Sequence, residues 1–182
     1  MVWAVINEEI KDAVAEFADS PSDRVCAIVG VAMIEETLRR SLELRLRASG
    51  LVERLFSPNR ATGTYAAKVD LGYLLGMYEK EVHGTLEKMG AIRNAFAHRL
   101  SIKSFDHAAL RDNWSTLTLH TAYKRYPHPF HAGESIEVEP CTTKRECFII
   151  NARIIMVLLM RDMRLHSPNS NLPQPLPAAP NQ

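Results

Sequence analysis

Apolar residues recur at steps of three and four along most of this chain. Trp3, Ile6, Ile10, Ala13 or Val14, and Phe17 fall on one helical face. Ser20-Pro21 restarts the chain: Ser20 can cap, Pro21 suits a first helical position, and Asp23 completes a capping-box spacing. The next helix is predicted over residues 21–49, roughly 40 Å long, with Gly50 as its stop. Its first half, from Val25 to Ile34, is apolar on every side, the pattern of a helix covered on several faces. Gly30 and Ala32 would let a neighbour come close, and the second half turns charged.

Turn residues Ser57-Pro58-Asn59-Arg60-Ala61-Thr62-Gly63 predict a loop. A third helix is predicted over 64–78, with Val69, Leu71, Leu74 and Leu75 inward. A fourth carries Val82, Leu86, Met89, Ile92 and Phe96, and a fifth is predicted over about 104–119, capped by Ser104, with Leu110, Trp114 and Leu117 inward. Residues 120–140 hold Pro127, Pro129, Gly133 and Pro140 and read as irregular, with Ile136-Glu137-Val138 able to form a short strand. A capping box, Thr143-Lys144-Arg145-Glu146, opens a last, buried helix to about residue 166. Residues 167–182 contain five prolines and no charge, so a flexible tail is expected there. The predicted class is all-α: a bundle of about five to six helices in one domain, 1–166, followed by the tail 167–182.

With 182 residues and 46% hydrophobic content the chain can bury a real core. Net charge is +1, from 22 basic and 21 acidic residues, so nothing pulls the whole molecule toward nucleic acid or anionic membrane. The apolar run Cys147 to Met160 contains Asn151 and Arg153 and falls short of the ~18 to 20 residues of a membrane span. The N-terminus meets acids at once and does not read as a signal peptide. Three cysteines, Cys26, Cys141 and Cys147, without C-x-x-C, argue against a disulfide framework and for a reducing cytoplasm. His128 and His131 with Cys141 and Cys147 fit no common zinc spacing, so neither metal nor cofactor is expected.

The candidate chemistry lies in Ile92-Arg93-Asn94-Ala95-Phe96-Ala97-His98. Arg93 keeps its charge, His98 can pass a proton near neutrality, and Asn94 both donates and accepts. Five residues separate Arg93 from His98, about 140° on a regular helix, so they share a cleft only if the helix end loosens or two chains pair. The structural alternative is plain: a helix C-terminus favours cations, and Arg93 could pair with Asp70, Glu36 or Glu87. Arg39, Arg40, Arg45 and Arg47 form a candidate basic patch, which reads either as a solvated helix face or as a phosphate track. Asp70, inside an apolar helix, would want Arg24, Lys68 or Arg93 as a partner. Nothing reads as a helix-turn-helix with an exposed recognition helix, so direct DNA binding is not expected.

Arg93-Asn94-x-x-x-His98 resembles the R-x4-6-H signature of the HEPN superfamily, all-α domains that commonly dimerise. A longer likeness runs from about Ser22 to Trp114. Ser22-Asp23-Arg24, Ile34-Glu35-Glu36, Gly63-Thr64-Tyr65, Ala67-Lys68-Val69-Asp70-Leu71-Gly72-Tyr73, the Arg93 motif and Ser104-Phe105-Asp106 together resemble the mannitol operon repressor family. Lys68 stands where that family usually carries arginine. The resemblance implies a homodimeric helical regulator that contacts a protein partner. The HEPN likeness implies, as the alternative, a metal-independent endoribonuclease. There Arg93 would polarise phosphate, His98 would act as acid or base, and Asn94 would orient the RNA.

Overall fold

The computed structural model describes residues 17–115, 117–123, 125–127, 135–138 and 140–167. The chain forms an all-α bundle. Residues 17–19 are helical and lead into α1 (Asp23–Arg45). Then follow α2 (Leu51–Leu55), α3 (Tyr65–Leu74), α4 (Lys80–His98), a 3-10 helix (Ala108–Asn113), α5 (Leu119–Ala122) and α6 (Lys144–His166). A small antiparallel pair, β1 (Arg125–Pro127) and β2 (Ser135–Glu137), sets Tyr126 opposite Ile136. It replaces part of the irregular connection expected over 120–140. The expected first helix before residue 17, His128, His131 and the tail beyond residue 167 lie outside the described residues.

Local signals account for several helix ends. Ser22, rather than Ser20, caps α1, its side chain accepting from the Val25 N–H. Thr64 caps α3 through the Ala67 N–H. Thr143 and Glu146 form the expected capping box of α6. The Thr142 N–H, the Thr142 hydroxyl and the Thr143 N–H hold the Glu146 carboxyl below its usual range. α3 ends earlier than predicted. Gly76 adopts φ 66, Gly76 N–H donates to Tyr73 and Met77 N–H to Gly72, a closure that glycine makes without strain. Tyr78 then packs back on Gly72 and donates to the Val69 carbonyl at 2.7 Å.

The fifth predicted helix is replaced by the 3-10 helix and by α5. Phe105 explains the break: its N–H donates to Asp23 at 2.9 Å, and its ring is buried against Phe96, Trp114 and Phe148. Anchoring that ring holds the backbone in a turn where propensity alone favoured helix. α1 packs chiefly on α6, then on α4 and α3. The helix covered nearly all round is α6, which buries twelve residues from Phe148 to Asp162. α1, apolar all round in its first half, leaves Ile28 and Ala32 exposed on one face. Gly30 does admit a close neighbour, the Phe17 ring. Among the described residues no helix is long and apolar enough to cross a membrane.

Cysteine pairing departs from expectation. Cys141 and Cys147 form a disulfide, and Cys26 is free and buried. Proximity across the turn that opens α6, not a spacing motif, brings the pair together. Burial pushes the Cys26 thiol up to about 12 from an ordinary 9.0, partly offset by Arg145. Burial also pushes the Tyr65 and Tyr78 phenols up. Above pH 9 the unfolded chain releases these protons and the folded chain keeps them, so stability is intact below that point and falls as pH rises. A loss of about 2 kcal/mol or more between pH 8 and pH 11 is expected in urea titrations, and Cys26→Ala should flatten the curve.

Candidate functional site

The Arg93 motif occupies the end of α4, and the start of α1 holds that end in place. The Arg24 guanidinium donates to the carbonyls of Phe96, Arg99, Leu100 and Ile102. These include acceptors that a helix C-terminus leaves without intrahelical partners. Asp23 beside it accepts from Phe105 and pairs with Arg145 at 2.7 Å. Ser22-Asp23-Arg24 is therefore a clamp on the motif helix, which joins the starts of α1 and α6 to the end of α4.

Arg93 and Asn94 line a cleft of about 590 Å3, together with Glu35, Tyr65, Asp70 and Glu87. Tyr65 forms its floor, buried, with its hydroxyl donating to the Leu86 carbonyl at 2.9 Å. Gly90 makes room for that ring: a Cβ there would lie 2.7 Å from the Tyr65 Cε1. The Arg93 guanidinium stands 5.8 Å from the centre of the Tyr65 ring and 4.0 Å from the Glu35 carboxylate. The other Glu35 oxygen accepts from Lys68 at 2.8 Å, and Lys68, only 4% exposed, also donates to the Gly63 carbonyl. One carboxylate thus serves two cations.

His98 is the last residue of α4, exposed, and does not line this cleft. The structure brings Arg93 and Asn94 together and leaves His98 apart from them. Phe96, between them in sequence, points inward and meets Phe105 edge-on, their ring centres 5.1 Å apart.

The basic patch is largely neutralised. Arg39 sits between Glu36 and Glu43 at 3.4 and 3.6 Å, and Arg40 bonds Glu36 at 2.8 Å. Arg45 turns inward to Asp162, and Arg47 is exposed. Asp70 departs from expectation. It is exposed rather than buried, and its partner is His83 at 3.0 Å, not Arg24, Lys68 or Arg93. α3 presents Asp70 to solvent because Val69 and Gly72 take its buried face, leaving Lys68 as the buried charge of that helix.

Sequence reasoning missed Glu35 and Tyr65 as cleft residues, Glu35 as the Arg93 partner, and Lys68 as the buried cation behind Glu35. Glu35 and Glu36 look alike beside Arg39 and Arg40, and only packing turns one inward and the other outward. The one available signal was a lysine flanked by apolar Ala67 and Val69. No family model, curated protein or solved structure matches this chain.

Proposed function

We propose that this protein is a dimeric helical regulator of the mannitol-repressor type, working in the cytoplasm through contacts with a protein partner and without metal or cofactor. One observation carries this reading. Arg93 already faces a carboxylate, in a cleft that also holds Asp70 and Glu87. Three carboxylates against Arg93 and the buried Lys68 leave the cleft net negative, which opposes a phosphodiester and suits a site that meets a protein surface. The ordered likeness from Ser22 to Trp114 supplies the regulator class. Neutralised arginines on α1 weaken a nucleic-acid track in the same way.

Ribonuclease action is the competing reading, resting on His98, exposed where a second chain could reach it. Purified protein incubated with structured and unstructured RNA in EDTA separates the two. We expect intact RNA, a dimer in light scattering at micromolar concentration, and no salt-dependent shift of duplex DNA. Cleavage in EDTA that vanishes in both Arg93→Ala and His98→Ala would establish the enzyme instead. A strict monomer would remove the dimeric assembly.

A further inference from the structure

Cys141 and Cys147 close a bond across the turn that opens α6, six residues apart, and both are half-buried rather than sealed. Cys147 lies in the first turn of a 23-residue helix, where the helix dipole favours an anion. A ring nitrogen of His120 lies within 4.8 Å of both sulfurs. Asn151, fully buried, fixes that ring: its Nδ2 meets His120 Nδ1 at 3.1 Å and donates to the Cys147 carbonyl at 2.7 Å, while its Oδ1 accepts from Leu119. The Asn151 amide bonds therefore leave His120 Nδ1 as an acceptor, so neutral imidazole carries its proton on Nε2 and is a donor there. Cys26, the remaining cysteine, is buried and takes no part.

We propose that Cys141 and Cys147 are a reversible dithiol–disulfide site that exchanges with small dissolved thiols, with His120 as its proton carrier. A dissolved thiolate attacks one sulfur of the pair, forms a mixed disulfide and releases the other cysteine as a thiolate. A second small thiol then attacks the mixed disulfide. The protein gains two electrons and two protons, and the two small thiols leave joined as their own disulfide. A pair that is reachable from solvent, with a proton carrier beside it, suits exchange rather than permanent cross-linking.

The consequence reaches the motif helix. Arg145, inside the closed loop, donates to the Ser20 carbonyl and pairs with Asp23, whose neighbour Arg24 clamps the end of α4. Opening the bond frees the segment that holds Arg145 in register.

The test uses the full chain, equilibrated in glutathione buffers, alkylated under native conditions and weighed. We expect no label in oxidised glutathione, two labels in millimolar reduced glutathione, and unchanged far-ultraviolet dichroism. Hydrogen exchange should quicken at residues 141–147 and around Asp23. Exchange should run about threefold to tenfold slower in His120→Ala and in His120→Gln. A pair that stays closed in reduced glutathione until the chain unfolds, or a third label appearing with the other two, would overturn the site. So would reduced cysteines that zinc protects from alkylation in the parent but not in His120→Ala, which would make this a metal site. An unchanged rate in both His120 variants would remove the histidine's role.

Discussion

Asp162→Ala should cost about 3 kcal/mol of stability, without altering the urea dependence of unfolding. The Asp162 carboxylate is buried near the end of α6. It accepts from Ser41 at 2.6 Å and from Arg45 through two nitrogens, one at 3.1 Å. Arg45 also donates to the Leu75 carbonyl at 3.2 Å, so a single carboxylate joins α1, α6 and the end of α3. Without it the fully buried Ser41 hydroxyl loses its acceptor and Arg45 loses its counter-charge. Breaking such a pair typically costs about 3–5 kcal/mol, and the lower end applies here because Arg45 keeps 19% of its side-chain surface in water. Asp162→Asn should cost less, since an amide oxygen still accepts from Ser41. A loss below about 1 kcal/mol for the alanine variant would show that the network contributes little.

Glu35→Ala should be comparably damaging, for a different reason. It removes the counter-ion of Lys68, whose ammonium is almost sealed from water and would keep only the Gly63 carbonyl at 3.2 Å. An uncompensated buried charge costs about 3–5 kcal/mol. The diagnostic result is recovery: Lys68→Met in the Glu35→Ala background should restore most of the loss, because the charge goes and the stem volume stays. Additive damage in the double variant would mean that Glu35 matters through some other contact. Glu35→Ala also removes the carboxylate 4.0 Å from Arg93 and leaves the guanidinium beside the Tyr65 ring. The same variant therefore reports how far Glu35 restrains that guanidinium.

Much of the bundle can be read from neighbours in sequence. Thr143 and Glu146 opened α6 as expected, and Val82, Leu86, Met89, Ile92 and Phe96 all face the core of α4. Both depend on interactions that span a few residues, so the local sequence carries them whole. Misreadings occurred where a distant partner outweighed local preference. Phe105, bound to Asp23 eighty-two residues away, broke a helix that periodicity supported. Asp70 faced water, and Lys68 beside it took the buried position.

The candidate site divides along the same line. Arg93 and Asn94 are adjacent on one helix, so their proximity follows from the chain itself, while the cleft beside them needs α1 and α3 packed on α4. The separation of His98 from that cleft was foreshadowed by five helical steps. The identity of the counter-ion was not, because Glu35 reaches Arg93 and Lys68 only once α1, α3 and α4 have packed together. The Cys141–Cys147 bond and its contact with His120 likewise needed a turn, α5 and α6 in place. Sequence by itself determined most of the longer helices, the cap of α6 and the apolar face of α4, since those are settled within one or two turns of backbone, whereas on α3 Leu74 and Leu75, expected inward, stand exposed. Charge pairing and the bond between sulfurs were decided by tertiary structure, since such contacts depend on distances that no local rule sets.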